Sequence, residues 1–194
     1  MLVKKLMPRS MRGFTLTEAA IVLGIVGLIL GAIWVAAAAV YTNLRTSTTS
    51  NQLLQMVQSV RSLHATQNTV DAGLTGMATG SLQIAKAGGI PKDMLDNPTN
   101  PTKVRSVWGG DVEIAHATTD VTDDSFIITY KAIPPQACAD LLTRNTGSGR
   151  DGGLSAAGAA LPTITAFPIS VTLAVTTCGA LATSDLSFKF KLKS

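Results

Sequence analysis

Glu18 stands at the entrance of an apolar run, Ala19 to Tyr41, that is 23 residues long and holds no charge and no proline. A carboxylate in that place is costly in lipid and marks a functional pairing with a partner. Cys138 and Cys178 are the two cysteines of the chain. Their spacing fits no metal motif and no histidine lies near either in sequence, so in an oxidising compartment they predict one disulfide. Closing a loop of that size is worth about 4 kcal/mol on the chain-entropy estimate. A reactive or metal-bound pair is the other reading. Asp120, Asp123 and Asp124 share one turn, where clustered carboxylates suit a hard cation but also simply form turns. Lys189, Lys191 and Lys193 alternate with Phe188, Phe190 and Leu192, which gives one cationic and one apolar face. The cationic face reads as a patch for DNA, lipopolysaccharide or a host glycan, or as a solvated face that discourages edge-to-edge pairing. His64 falls on an apolar helical stripe and reads as a packed side chain. With two histidines, no Ser/His/Asp arrangement at motif spacing and no phosphate loop, nothing supports catalysis, and no cofactor or metal is expected.

The elements that position these groups begin with charge. Residues 1 to 13 carry Lys4, Lys5, Arg9 and Arg12 and no acid, so the formal net charge of +4 lies wholly in this leader. The remainder is formally neutral. A basic pI is therefore no argument for nucleic acid, and no specific nucleic-acid partner is expected. As a helix, residues 19–41 span about 35 Å, enough for a hydrocarbon core of roughly 30 Å. The basic side precedes the run, which places the N-terminus in the cytoplasm and the body outside. The charged fraction of 14% is well below the ~25% of ordinary soluble domains, and 46% hydrophobic residues exclude a disordered chain.

An ordinary signal peptide has a shorter apolar stretch and no carboxylate at its mouth. The segment Arg12-Gly13-Phe14-Thr15-Leu16-Thr17-Glu18, between a basic leader and an apolar helix, resembles the class III signal of type IV prepilins. That resemblance implies cleavage by a prepilin peptidase between Gly13 and Phe14, on the cytoplasmic side, and N-methylation of Phe14. It also implies a homo-polymeric filament built by inner-membrane assembly machinery, in which Glu18 sits beside the new N-terminal amine of its own subunit or reaches and neutralises a neighbour's. The residue types suit those roles: glycine leaves the scissile backbone open to approach, and Glu18 lies one helical turn from Phe14. Gly27 and Gly31 form G-x-x-x-G, which lets apolar helices approach closely, although glycine is also generally tolerated in membrane helices. The 13-residue leader and the segment Ala87 to Met94 (AGGIPKDM) resemble the long-leader type IVb and PilS-like pilins.

Residues 42–70 place Leu53, Val57, Val60, Leu63 and His64 on one helical stripe, with Gln52, Gln55, Gln58 and Arg61 elsewhere, while Thr46 to Ser50 is poor in helix formers and open to bending. Strands are expected at 111–117, 125–133, 169–176 and 186–192, a short helix at 135–144, and an exposed loop at 147–162. The implied organisation is a leader (1–13), a spine helix (14–70, with 19–41 as the transmembrane and assembly segment) and a globular head (71–194). The fold class is α+β, a type IV pilin αβ-roll with the long helix packed on a mainly antiparallel sheet. The subunit would sit as a single-pass inner-membrane protein before assembly and in an extracellular pilus afterwards. A minor pilin or type II secretion pseudopilin shares the same signal; an exported enzyme or binding domain cleaved near Ala39 is the reading of another class.

Overall fold

The computed structural model describes residues 15–179 and 183–193. Gly13, Phe14 and the leader lie outside the described residues. Helix α1 (Leu16–Leu63) is 48 residues long. The chain divides into a unit ending at Tyr41 and a second beginning at Thr42.

In the first unit the helix is apolar on every side, and large side chains stand open all around it, among them Leu23, Leu28 and Trp34. A helix of that kind is made for lipid or for other helices, and its length and composition suffice to cross a membrane.

From Thr42 onward α1 is one-sided. Thr46 and Thr49 are buried, and each donates its hydroxyl to the carbonyl four residues back, Thr42 (3.1 Å) and Arg45 (2.9 Å). Those bonds give the two buried hydroxyls their partners, and the stretch open to bending is helical throughout. Leu53, Met56, Val57 and Val60 then enter the core. Gln52, expected away from the stripe, is buried and donates to Asp93 (2.6 Å), whereas Leu63 is exposed. The helix stops at Leu63 rather than at 70, and His64 is packed with Nδ1 2.9 Å from the Val60 carbonyl.

A π-helical turn (Gly76–Ser81) and the short α2 (Leu82–Lys86) lead to the sheet. Strands β1 (Val112–Ala117), β2 (Ser125–Ile133), β3 (Leu154–Ala159) and β4 (Ser184–Lys191) form an antiparallel sheet in the order β1-β2-β4-β3. The register sets Phe126 opposite Phe190, Ile128 opposite Phe188 and Tyr130 opposite Leu186. All six are buried in the core they share with α1, and the Phe126 and Phe190 rings stack at 5.9 Å. Helix α3 (Pro135–Asn145) starts on a proline, which suits the first turn. The α+β class, the long helix and the antiparallel sheet are as the sequence led one to expect.

Two stretches of the head differ in element type as well. The expected exposed loop at 147–162 contains β3, whose Leu154, Ala156 and Ala157 are buried. The expected strand at 169–176 is instead helix α4 (Val171–Cys178), capped by Ser170, whose side chain accepts from the Leu173 N–H at 3.2 Å. Cys138 on α3 and Cys178 on α4 form the disulfide, both fully buried, with Cα atoms 5.8 Å apart.

Candidate functional site

The start of α1 is built by a reciprocal cap. Glu18 Oε2 accepts the Thr15 N–H at 2.9 Å and the Thr15 hydroxyl at 2.7 Å, and Thr15 Oγ1 stands 3.3 Å from the Glu18 N–H. Thr15-Leu16-Thr17-Glu18 is thus a capping box, which satisfies orphan donors of the first turn and aims the carboxylate along the positive end of the helix. The T-x-x-E spacing is legible in the sequence, and Thr15 is the residue that reasoning from Glu18 alone overlooks. The second oxygen, Oε1, has no partner among the described residues. Behind it, a Cβ built on Gly24, Gly27 or Gly31 meets nothing within 4 Å, so the glycine face is open to close approach.

Farther along, the outward face of α1 is uncharged. Between Arg45 and Arg61 there is no ionisable side chain, and Ser47, Thr48, Asn51, Leu54, Gln55 and Gln58 are exposed. Leu54, Gln55 and Gln58 line one wall of an open groove of about 540 Å³, with Gly88 to Lys92 as the other wall. An uncharged face costs less to desolvate than a charged one, and its hydroxyls and amides can pair across a contact, which suits it to burial against another surface.

A family model described as PilS N-terminal matches residues 43–188. The chain belongs to the PilS family. Among solved structures, a type IVb pilin crystal structure from Salmonella typhi matches at 21% identity over 71% of this chain and 94% of that one, with a TM-score of 0.51. An NMR structure of type IVb pilin (PilS) from the same organism matches at 20% identity over 75% and 95% (TM-score 0.49). TcpA, a type IV pilin from Vibrio cholerae El Tor, matches at 12% over 76% and 98% (TM-score 0.48). No curated protein sequence matches. With the family established and the long helix and sheet in place, the protein is a type IV pilin of PilS-like kind.

The remaining residues singled out from the sequence take structural parts in the pilin head. Asp124 accepts the N–H groups of Thr119 (2.7 Å), Asp120 (2.9 Å) and Val121 (3.1 Å) and the Ser125 hydroxyl (2.6 Å). Its slight burial works the other way, yet these bonds hold its carboxyl well below the ordinary carboxylate range. Asp123, in the left-handed region at φ 61°, lies 2.6 Å from His116 Nδ1. Asp120 takes the Lys191 ammonium at 2.5 Å. The three carboxylates therefore face different partners and do not converge. The lysines are likewise engaged: Lys189 donates to the Thr118 carbonyl, and Lys193 to Asn68. They fasten the β1–β2 turn and the post-helix segment to β4, in keeping with the solvated-face reading rather than a free ligand patch.

A contact with no sequence signal joins α1 to the sheet end. Arg61 meets Asp151 through Nη1–Oδ2 (2.9 Å) and Nη2–Oδ1 (2.7 Å) and also donates to the Lys191 carbonyl at 3.1 and 3.2 Å. Gly153 lets the guanidinium lie this close, since a Cβ there would fall 2.1 Å from Arg61 Nη2 and push it aside.

Proposed function

We propose that this pilin is made as a prepilin, cut between Gly13 and Phe14 by a prepilin peptidase and N-methylated on Phe14. It waits in the inner membrane through residues 19–41 with its N-terminus in the cytoplasm. It then polymerises through α1, with inner-membrane assembly machinery, into an extracellular pilus for adhesion, conjugation or contact with cells or DNA. It is a non-catalytic building block.

The observation that carries this reading is the Glu18 carboxylate at the head of a helix with no other charge as far as Tyr41 and apolar side chains exposed on all sides. In a bundle of such helices an unpaired carboxylate is strongly disfavoured, and a neighbour's terminal amine is the natural counter-charge. Oε2 is held by Thr15 and Oε1 remains for that amine. The open glycine face and the uncharged outer face of the head portion of α1 support the same conclusion.

N-terminal sequencing and mass spectrometry of sheared fibres test it. A mature start at methylated Phe14 is expected, and a start near Val40 overturns it. Glu18→Ala should leave processing largely intact and impair assembly; normal fibres from that variant would refute the pairing.

A further inference from the structure

At the C-terminal end of α1 lies a small cavity of about 230 Å³, lined by Leu63, His64, Gln67, Asp71, Leu74, Gln83, Ile84 and Ala87. We propose that it binds a primary alkylammonium group, with the charged end on its polar wall and the alkyl stem on its apolar wall.

The polar wall holds acceptors and a negative charge. His64 is 8% exposed, and its Nδ1 is committed to the Val60 carbonyl at 2.9 Å. In the neutral ring Nδ1 is then the donor, and Nε2 is left as an acceptor with no partner among the described residues. Asp71 supplies a carboxylate, of which Oδ1 accepts the Gly73 N–H at 2.8 Å and Oδ2 is free among the described residues. The Gln67 and Gln83 amides have no intramolecular partner there either. The cavity also lies at the C-terminal, partially negative end of α1, which ends at Leu63 in its wall. No lysine or arginine lines the cavity. An ammonium group brings three donors and one positive charge to this set of acceptors.

The apolar wall is Leu63, Leu74, Ile84 and Ala87. The volume equals that of about eight liquid waters, which accommodates a four-carbon stem with its ammonium group. A guanidinium or a quaternary amine fits less well: the one needs a planar bidentate acceptor, the other donates no hydrogen bond. Two sources share the required chemistry, a free alkylamine and a lysine side chain of a second copy of the chain.

The chain has two histidines, so His116 serves as an internal control for His64. Full-length protein in non-ionic detergent micelles at pH 7.5 is titrated with n-butylammonium, and the imidazole ring signals are followed by NMR. The expected result is a saturable shift of His64, with His116 unmoved and a dissociation constant of order 1–10 mM, as so small a ligand permits. The uncharged isostere n-butanol should bind at least about fivefold more weakly, and Asp71→Asn should weaken n-butylammonium by about fivefold, the upper end for an exposed ion pair. Asn keeps the acceptor for Gly73, so the turn survives the substitution. If no saturable His64 shift occurs by 50 mM, if n-butanol binds equally well, or if Asp71→Asn binds unchanged, the proposal is overturned. The source is read from dilution: a His64 shift that depends on protein concentration and is competed by n-butylammonium assigns the lysine of another copy, and a concentration-independent signal assigns a free amine.

Discussion

Replacing Arg61 by Met keeps the apolar stem that packs beside the core and removes the guanidinium. In the wild type, Arg61 is 17% exposed and Asp151 10% exposed, so the pair is largely withdrawn from water. The variant leaves the Asp151 carboxylate with the Gly153 N–H (2.8 Å) but without its counter-charge, and it strips both side-chain donors from the Lys191 carbonyl. Breaking a fully buried pair from one side costs about 3–5 kcal/mol, and an orphaned carbonyl about 1–3 kcal/mol. With residual exposure at both partners, about 3 kcal/mol is the expected loss. For a unit of this size that lowers Tm by about 6–12 °C. Trp108 reports the unfolding, because it donates to Thr49 (3.0 Å) and lies under Arg45, whose guanidinium carbon is 5.5 Å from the ring centroid. A Trp34→Phe background removes the other tryptophan. Asp151→Ala and the double variant complete a cycle whose coupling should be about 2 kcal/mol, so losing both partners costs less than the two single losses together. The pH dependence follows from Asp151. Burial pushes its carboxyl up, but the Arg61 hydrogen bonds, the Gly153 N–H and the guanidinium charge outweigh it, so the folded value lies below the ordinary one. A depressed carboxylate contributes stability above its unfolded pKa of about 3.9 and loses it as pH falls through the folded value. The gap between wild type and Arg61→Met should therefore be full at pH 7 and shrink at pH 3. An Arg61→Met loss below about 0.5 kcal/mol, or a coupling near zero, refutes the view that this contact ties α1 to the sheet.

The remaining expectations concern the head. Tyr130→Phe should be neutral or stabilising by up to about 1 kcal/mol in denaturant titration, because the hydroxyl is fully buried with no partner among the described residues and burial raises its pKa well above the usual value. Phe190→Ala should cost about 3–5 kcal/mol in the same assay through the cavity left beside Phe126 and Phe188. Gly80→Ala should destabilise by more than about 2 kcal/mol, since its Cβ would fall 1.8 Å from the Ile114 carbonyl oxygen; a stable, soluble variant would show that the π-helical turn moves freely off β1. Reducing Cys138–Cys178 should lower stability by about 2–4 kcal/mol, measured with and without reductant, and leave Glu18 and the start of α1 unaffected.

What could be read in the sequence, and what could not, divides along one physical line. The apolar run, the stripe of α1 and the β2 and β4 faces announce themselves because side-chain chemistry repeats with the period of the element. Phe188, Phe190 and Leu192 alternate with lysines and are buried as that alternation requires. The two misread stretches lack such a signal for opposite reasons. Leu154–Ala159 (LSAAGA) is composed of loop-like small residues, yet smallness is what its place demands: Ala157 bonds both ways with Ile164, and a Cβ on Gly158 would press to 2.4 Å from the Leu161 carbonyl oxygen. Close crossing of two backbones selects Ala and Gly for tertiary reasons that no local pattern shows. Val171–Cys178 (VTLAVTTC) is rich in β-branched residues and reads as a strand by propensity, but propensity is a weak term. Ser170 caps its start, Ala174 and Cys178 bury one face at i and i+4, and the disulfide holds that face against α3. Once Cys178 must meet Cys138, a helix buries Ala174 on the same side as the cysteine while leaving Val171 and Val175 exposed. At the start of α1 the logic reverses, because Thr15 and Glu18 are only three residues apart in sequence and bonded in space, and the cap that readies Glu18 for a partner is written in four consecutive residues.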